Sequence, residues 1–301
     1  MSPESTMTYA WPAATPAAPH LLPTRDGAAQ SARPQRVPVV SPLAPPLVAP
    51  RLSQRTLLLG PVLLLLLWEA ASRLGILSAQ TLTAPTQALL TGYGMLADGS
   101  LLPHLLASAA RAYSGLFLGV GAGLVLALAA GLTRTGEALI DGLVQIKRAV
   151  PTLALIPLVI LWLGIGEAMK VFLIFTAVLV PVYINTHAAL RGIDMGHVEL
   201  AQTLGLSRSA FIRKVALPGA LPGFFVGLRM AVSLCWTALV VLELINTQTG
   251  IGYLMNRARD WGQTDIIVVG ILIYALLGLA SDALVRGLEA RVLSYRRSLG
   301  S

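Results

Sequence analysis

The chain has 301 residues, of which 55% are hydrophobic and 12% charged, and it carries a formal net charge of +8. No soluble domain of this length is so apolar and so poorly charged, so the composition indicates a polytopic membrane protein. The positive charge does not indicate nucleic acid, because the basic residues flank apolar segments instead of forming one patch. The single cysteine, Cys235, excludes an intrachain disulfide and a cysteine-based metal site.

Residues 1–50 hold 11 of the 19 prolines. That density is incompatible with helix or sheet, so a disordered, Pro/Ala-rich cytoplasmic tail is expected. It lacks the basic start and unbroken apolar core of a signal peptide. The membrane domain is expected over 51–301. Within it, apolar runs able to cross a bilayer core of about 30 Å occur at 56–74, 110–132, 149–166, 168–190, 219–245 and 265–287. Only Gly164-Ile-Gly-Glu-Ala168 divides the third run from the fourth. The expected fold is an all-α polytopic membrane protein with six transmembrane helices.

Basic residues orient these segments. Sixteen of 22 fall before the first run, between the second and third, between the fourth and fifth, or after the sixth. The basic side is cytoplasmic, so both termini are expected inside the cell. The outer side then receives residues 75–109, with Thr83-Ala-Pro-Thr-Gln87, and residues 246–264, with Gly250-Ile-Gly-Tyr253 and Arg257-Ala-Arg-Asp260. These loops either receive a partner or simply close the outer rim.

The loop between the fourth and fifth runs is the most informative stretch. It is too polar for hydrocarbon, and it carries Arg191, Arg208, Arg213 and Lys214. Met195, Val198, Ala201 and Leu204 follow helical spacing and form one apolar stripe. Gly205 is placed to end that helix as a left-handed cap. Ser207 can N-cap a second helix carrying Ala210, Phe211 and Val215, and Pro218 suits the start of the following segment.

Ionisable groups inside the runs are costly and usually face a partner or a cavity. Glu243, near the outer end of the fifth run beside Trp236, Thr237 and Asn246, is a candidate for the outer gate or pathway. The alternative is a structural carboxylate paired with a base such as Arg257 or Arg259. Arg229 could attract an anion, although snorkelling or pairing is favoured. Glu69 and Asp282 sit near helix ends and call for no special role. The lysines Lys147, Lys170 and Lys214 lack the preceding glycine of a P-loop. His20, His104, His187 and His197 have no metal-ligand spacing, so enzyme chemistry is not expected.

The pattern Glu199-Leu-Ala-Gln-Thr-Leu-Gly205, followed by Val215-Ala-Leu217-Pro218, resembles the EAA loop of ABC-importer permeases. Leu200 and Val215 replace the usual Ala and Ile. The resemblance implies a type I importer permease working by alternating access, with Glu199, Ala201, Gly205, Leu217 and Pro218 in the ATPase-coupling loop. It implies two copies of a cytoplasmic ATPase, a second permease copy and a periplasmic or extracellular substrate-binding protein. It places the chain in the inner membrane and gives it no cofactor of its own, ATP being used by the partner.

The likeness covers about residues 56–295 and includes Lys147-Arg148-Ala-Val-Pro151-Thr-Leu-Ala-Leu-Ile-Pro157-Leu. Pro181-Val-Tyr-Ile-Asn185-Thr, Gly250-Ile-Gly-Tyr253, Thr264-Asp265 and Tyr274-Ala-Leu-Leu-Gly278 are similar to the aliphatic sulfonate branch. Taurine, nitrate and other small solutes of sister branches are the alternative substrates. A secondary transporter is a further alternative, disfavoured by the lack of a convincing internal repeat.

Overall fold

The computed structural model describes residues 59–78, 80–245 and 247–294. The expected tail over 1–50 and the pathway candidate Asn246 lie outside these residues. The described chain is helical, in the order α1 Leu59–Arg73, α2 Pro85–Ala97, α3 Leu101–Leu132, α4 Arg134–Ala149, α5 Ile156–Leu163, α6 Glu167–Arg191, α7 Met195–Thr203, α8 Arg208–Phe211, α9 Leu217–Leu244, α10 Ile251–Asp260 and α11 Thr264–Val292. A 3₁₀ turn over Thr152–Leu155 precedes α5, and a wide π-helical turn over Ile212–Ala216 joins α8 to α9.

Among the described residues, four helices are long and apolar enough to cross a membrane: Leu101–Leu132, Glu167–Arg191, Arg208–Leu244 and Thr264–Val292. They coincide with the second, fourth, fifth and sixth expected runs. The third run departs from expectation. Thr152–Leu163 meets α4 at a 91° bend, so the two form at most one broken crossing. Pro151 and Pro157 explain the break, because neither supplies a helix N–H and each restricts the residue before it. The first run appears as α1, whose 15 described residues extend about 22 Å. Its Leu63–Leu67 stretch is exposed on every side, as suits a helix in contact with lipid.

The loop over 75–109, expected on the outer side, holds more helix than its sequence suggests. α2 starts with Pro85 in its first turn, where a missing N–H costs nothing. α3 begins at Leu101, nine residues earlier than expected. Glu69 acquires a role here. Its carboxylate accepts from Thr86 N–H (3.1 Å), Thr86 Oγ1 (2.8 Å) and Arg73 Nε (2.7 Å). It thereby caps the N-terminus of α2, whose own cap residue Ala84 has no side-chain acceptor. Asp282 likewise pairs with Arg229 (3.4 Å) and Arg286 (2.9 Å).

α3, α6 and α9 form the centre of the bundle, and small residues bring them together. Gly115, Gly119, Gly123, Ala127 and Gly131 recur every four residues along one face of α3. A Cβ at Gly119 would fall 2.7 Å from Val178 Cβ and 2.8 Å from the Phe175 carbonyl of α6. On α9, Gly223 and Gly227 admit the backbone of α6 in the same way. Helices already in lipid gain nothing by hiding apolar surface from water, so they associate through this backbone approach and the packing it permits.

Replacing Gly119 with Leu is expected to prise α3 from α6, at a cost of about 1–3 kcal/mol or more. The thermal midpoint of the detergent-purified chain checks this. A midpoint equal to that of the unsubstituted protein contradicts the close-packing account.

Candidate functional site

The loop after α6 is built by local signals. Asp194 caps α7 by accepting from Gly196 N–H (2.9 Å). The helix ends where Gly205 takes φ +64°. Gly205 N–H then donates to Gln202 O (2.9 Å) and Leu206 N–H to Ala201 O (3.0 Å), the paired bonds of a Schellman cap. Ser207 Oγ caps α8 by accepting from Ala210 N–H (3.3 Å). Both expected caps are therefore formed.

The expected apolar stripe of α7 divides in two. Ala201 is buried, whereas Met195 and Leu204 are about two-thirds exposed, with Leu200 beside them. Glu199 is exposed as well. The base of the loop is fixed: Phe211 packs against Leu190, Ala216 and Ala220, and Arg208 Nη2 donates to the terminal carbonyl of α3 at Leu132 (2.8 Å). A guanidinium at a helix C-terminus satisfies an orphan acceptor and complements the dipole. Pro218 lies in the first turn of α9, next to the π-helical turn. The result is a short helix with exposed apolar side chains and one carboxylate, held on an anchored base.

At the opposite end of the bundle, Glu243 is fully buried and accepts four kinds of donor. Ser108 Oγ approaches both carboxylate oxygens (2.7 and 2.8 Å), and Arg111 Nη1 donates to Oε1 (2.7 Å). Gly252 N–H (2.9 Å) and Tyr274 O–H (2.7 Å) donate to Oε2. Arg111 also pairs with Glu167 at the start of α6 and donates to the Thr249 carbonyl (2.7 Å). Buried Lys170 adds a contact to Glu167 (3.2 Å). Two cations and two carboxylates thus join α3, α6, α9, α10 and α11.

The base that neutralises Glu243 is therefore Arg111, not Arg257 or Arg259. Gly250 belongs to the same arrangement. It has φ +123°, and a Cβ there would lie 2.6 Å from Arg111 Nη1 and 2.7 Å from Glu243 Oε1. The Gly250-Ile-Gly252 stretch is thus shaped by a charge pair it encloses. Sequence reasoning missed Ser108, Arg111 and Tyr274. The available signal was Ser108 and Arg111 three apart on one helical face, close enough to serve a common partner.

The other pathway candidates separate. Trp236 is buried, donates from Nε1 to Ser281 Oγ (3.2 Å) and meets Tyr113 edge-on at 5.9 Å. Thr237 is exposed and donates to the Ser233 carbonyl of its own helix (2.9 Å). It shares an exposed stripe of α9 with Val226, Met230, Ser233 and Leu234.

The sequence that builds this bundle and its capped, anchored loop is similar to known proteins. Residues 119–294 match the family described as "Binding-protein-dependent transport system inner membrane component". The chain belongs to this family. It is 46% identical, over 76% of its own length and 87% of the relative's, to the permease of Escherichia coli (strain K12) named SsuC, for aliphatic sulfonates transport. It is 39% identical, over 80% and 87%, to the protein of the same name from Bacillus subtilis (strain 168). The fold resembles that in a crystal structure of an amino acid ABC transporter with histidines. There the TM-score is 0.53 and the identity 16%, covering 65% of this chain and 98% of that one.

The permease is accordingly a multi-pass inner-membrane subunit of an ABC importer and not itself an enzyme. ATP is used by a partner ATPase, and a separate protein binds the substrate.

Arg111→Met is expected to strand Glu243 without a counter-charge and to destabilise the permease by about 3–5 kcal/mol. Adding Glu243→Gln should recover part of that loss, because the unpaired charge is gone. Thermal unfolding of Arg111→Met, Glu243→Gln and the double variant, each against the unsubstituted permease, tests the coupling. A double variant as unstable as the sum of the two single losses contradicts it.

Proposed function

We propose that the permease imports small organic anions, aliphatic sulfonates first among them, as a homodimer served by two copies of the ATPase. The identity to two permeases named for aliphatic sulfonates, extending through most of the membrane domain, is the observation that carries this substrate class. The termini and the α7–α8 loop face the cytoplasm, a reading supported by the distribution of basic residues. The outer charge cluster and α10 face the binding protein.

In this reading, α7 is the handle of the transporter. Met195, Leu200 and Leu204 supply an exposed apolar docking surface, and Glu199 supplies a carboxylate beside it. Ala201, Gly205, Leu217 and Pro218 set the helix's aim. Arg208 and Phe211 transmit the ATPase's movement to α3, α6 and α9. The exposed stripe of α9 containing Thr237 faces the second copy and lines the route. Trp236 and Glu243 hold the outer end of that helix in place.

Two experiments test the loop and its orientation. Gly205→Val has open space for its side chain but must keep a left-handed backbone, at a cost of about 1–3 kcal/mol. With Glu199→Lys, it should leave the permease inserted in the membrane but weaken co-purification of the ATPase and abolish uptake. Normal uptake by both variants contradicts the coupling role. Reporter fusions after Ser100 and Asp260 should read as external, and those after Arg134 and Arg208 as cytoplasmic. A cytoplasmic reading at Asp260 overturns the orientation of the last two helices.

A further inference from the structure

A cavity of about 300 Å³ opens between the α4–α5 elbow, α6 and α9. Lys147, Arg148 and Thr152 come from the elbow, Asn185 from α6, and Met230 and Leu234 from the exposed stripe of α9. The wall is thus cationic and hydroxylic at one end and apolar at the other. None of its lining residues is acidic. The 91° bend after α4 brings the basic last turn of an otherwise superficial helix to the cavity's edge.

Most other cations of the bundle have carboxylate partners. Arg111 is paired with Glu243 and Glu167, Lys170 with Glu167, Arg191 with Glu137 and Arg229 with Asp282. Among the described residues, neither Lys147 nor Arg148 has an ion-pair partner. Lys147 Nζ instead donates to Thr152 Oγ1 (3.0 Å). The Asn185 amide is steadied by the Pro181 carbonyl (2.8 Å) and lies 3.6 Å from Met230 Sδ, which ties the α6 wall to the α9 wall.

An anion entering this space meets two uncompensated positive charges and no negative one. Charge-assisted hydrogen bonds from ammonium and guanidinium suit a tetrahedral oxyanion, and an apolar wall suits an attached alkyl chain. The volume lies at the small end of ligand pockets, about 300–1,000 Å³. Arg148 is exposed, so a bound anion stays in competition with water, and a transport site must release what it holds.

We propose that this cavity is an anion station on the translocation route. It holds the oxyanion head of an alkyl sulfonate at Lys147, Arg148 and Thr152, and its tail against Met230 and Leu234. The proposal rests on the sulfonate reading above and adds the residues within the membrane domain that select for it. An anionic lipid headgroup offers the same oxyanion chemistry, so the test separates the two sources.

The complete transporter, with its ATPase and binding protein, is reconstituted in vesicles of pure phosphatidylcholine and in vesicles containing phosphatidylglycerol. Uptake of radiolabelled ethanesulfonate and ATP hydrolysis are measured together. For the double variant Lys147→Gln/Arg148→Gln, uptake is expected to fall at least tenfold in both vesicle types. Hydrolysis stimulated by the binding protein should stay within twofold, and Arg148→Lys should retain most uptake.

Undiminished uptake by the double variant overturns the station. So does a loss confined to phosphatidylglycerol vesicles, which assigns the cations to lipid, or a parallel loss of hydrolysis, which makes them structural or coupling residues. If the unsubstituted transporter takes up no sulfonate in either vesicle type, the substrate reading itself fails. That outcome is distinct from the preceding three and removes the station with it.

Discussion

A carboxylate withdrawn from water is costly unless donors and an opposite charge surround it, and Glu243 imposes that requirement on the half of this bundle remote from the α7–α8 loop. Its lone pairs are met by Ser108 and Arg111 of α3, Gly252 of α10 and Tyr274 of α11, three elements besides its own. Each donor must arrive from a fixed direction, so the relative positions of those elements are constrained together. Arg111 extends the arrangement to Glu167 and so to the start of α6. The glycines at 250 and 252 follow from it, since a side chain at either would occupy space held by the Glu243 side chain or its guanidinium partner.

The end that carries the α7–α8 loop obeys a different logic. There the chain exposes Met195, Leu200 and Leu204, and its anchoring contacts lie at the base of the loop. A firm base and an uncovered face are what the proposed handle requires, since force passes to the bundle only through an anchored base. The α3 stripe of small residues joins the two ends: it holds α3 and α6 so close that displacement of one at the loop end must be shared by the other.

Much of this was legible in the sequence wherever a local signal suffices. Gly205 and Ser207 announce their caps because a left-handed glycine and a capping hydroxyl are local devices. The spans at 168–190 and 265–287 match α6 and α11 to within a few residues because hydropathy alone fixes them. The broken helix over 152–163 was not legible. Its apolar composition resembles a span, and only the geometry at Pro151 and Pro157 reveals the elbow. Arg111 was missed because a lone arginine near the end of an apolar run carries no local sign of a partner. Its partner Glu243 is 132 positions away, and no periodicity links them. α2 and α10 were hidden in loops whose glycines and prolines suggested turns.

The central claim is that α7 presents the docking surface for the ATPase. Site-directed cross-linking tests it directly, and the chain is well suited to this because its single cysteine, Cys235, is buried. Cysteine placed at exposed Leu204 should cross-link to the ATPase subunit in the assembled transporter through a short thiol-reactive bifunctional reagent. Cysteine at exposed Trp261, at the end of α10, should not. Cross-linking of the ATPase at position 261 and none at 204 contradicts the account.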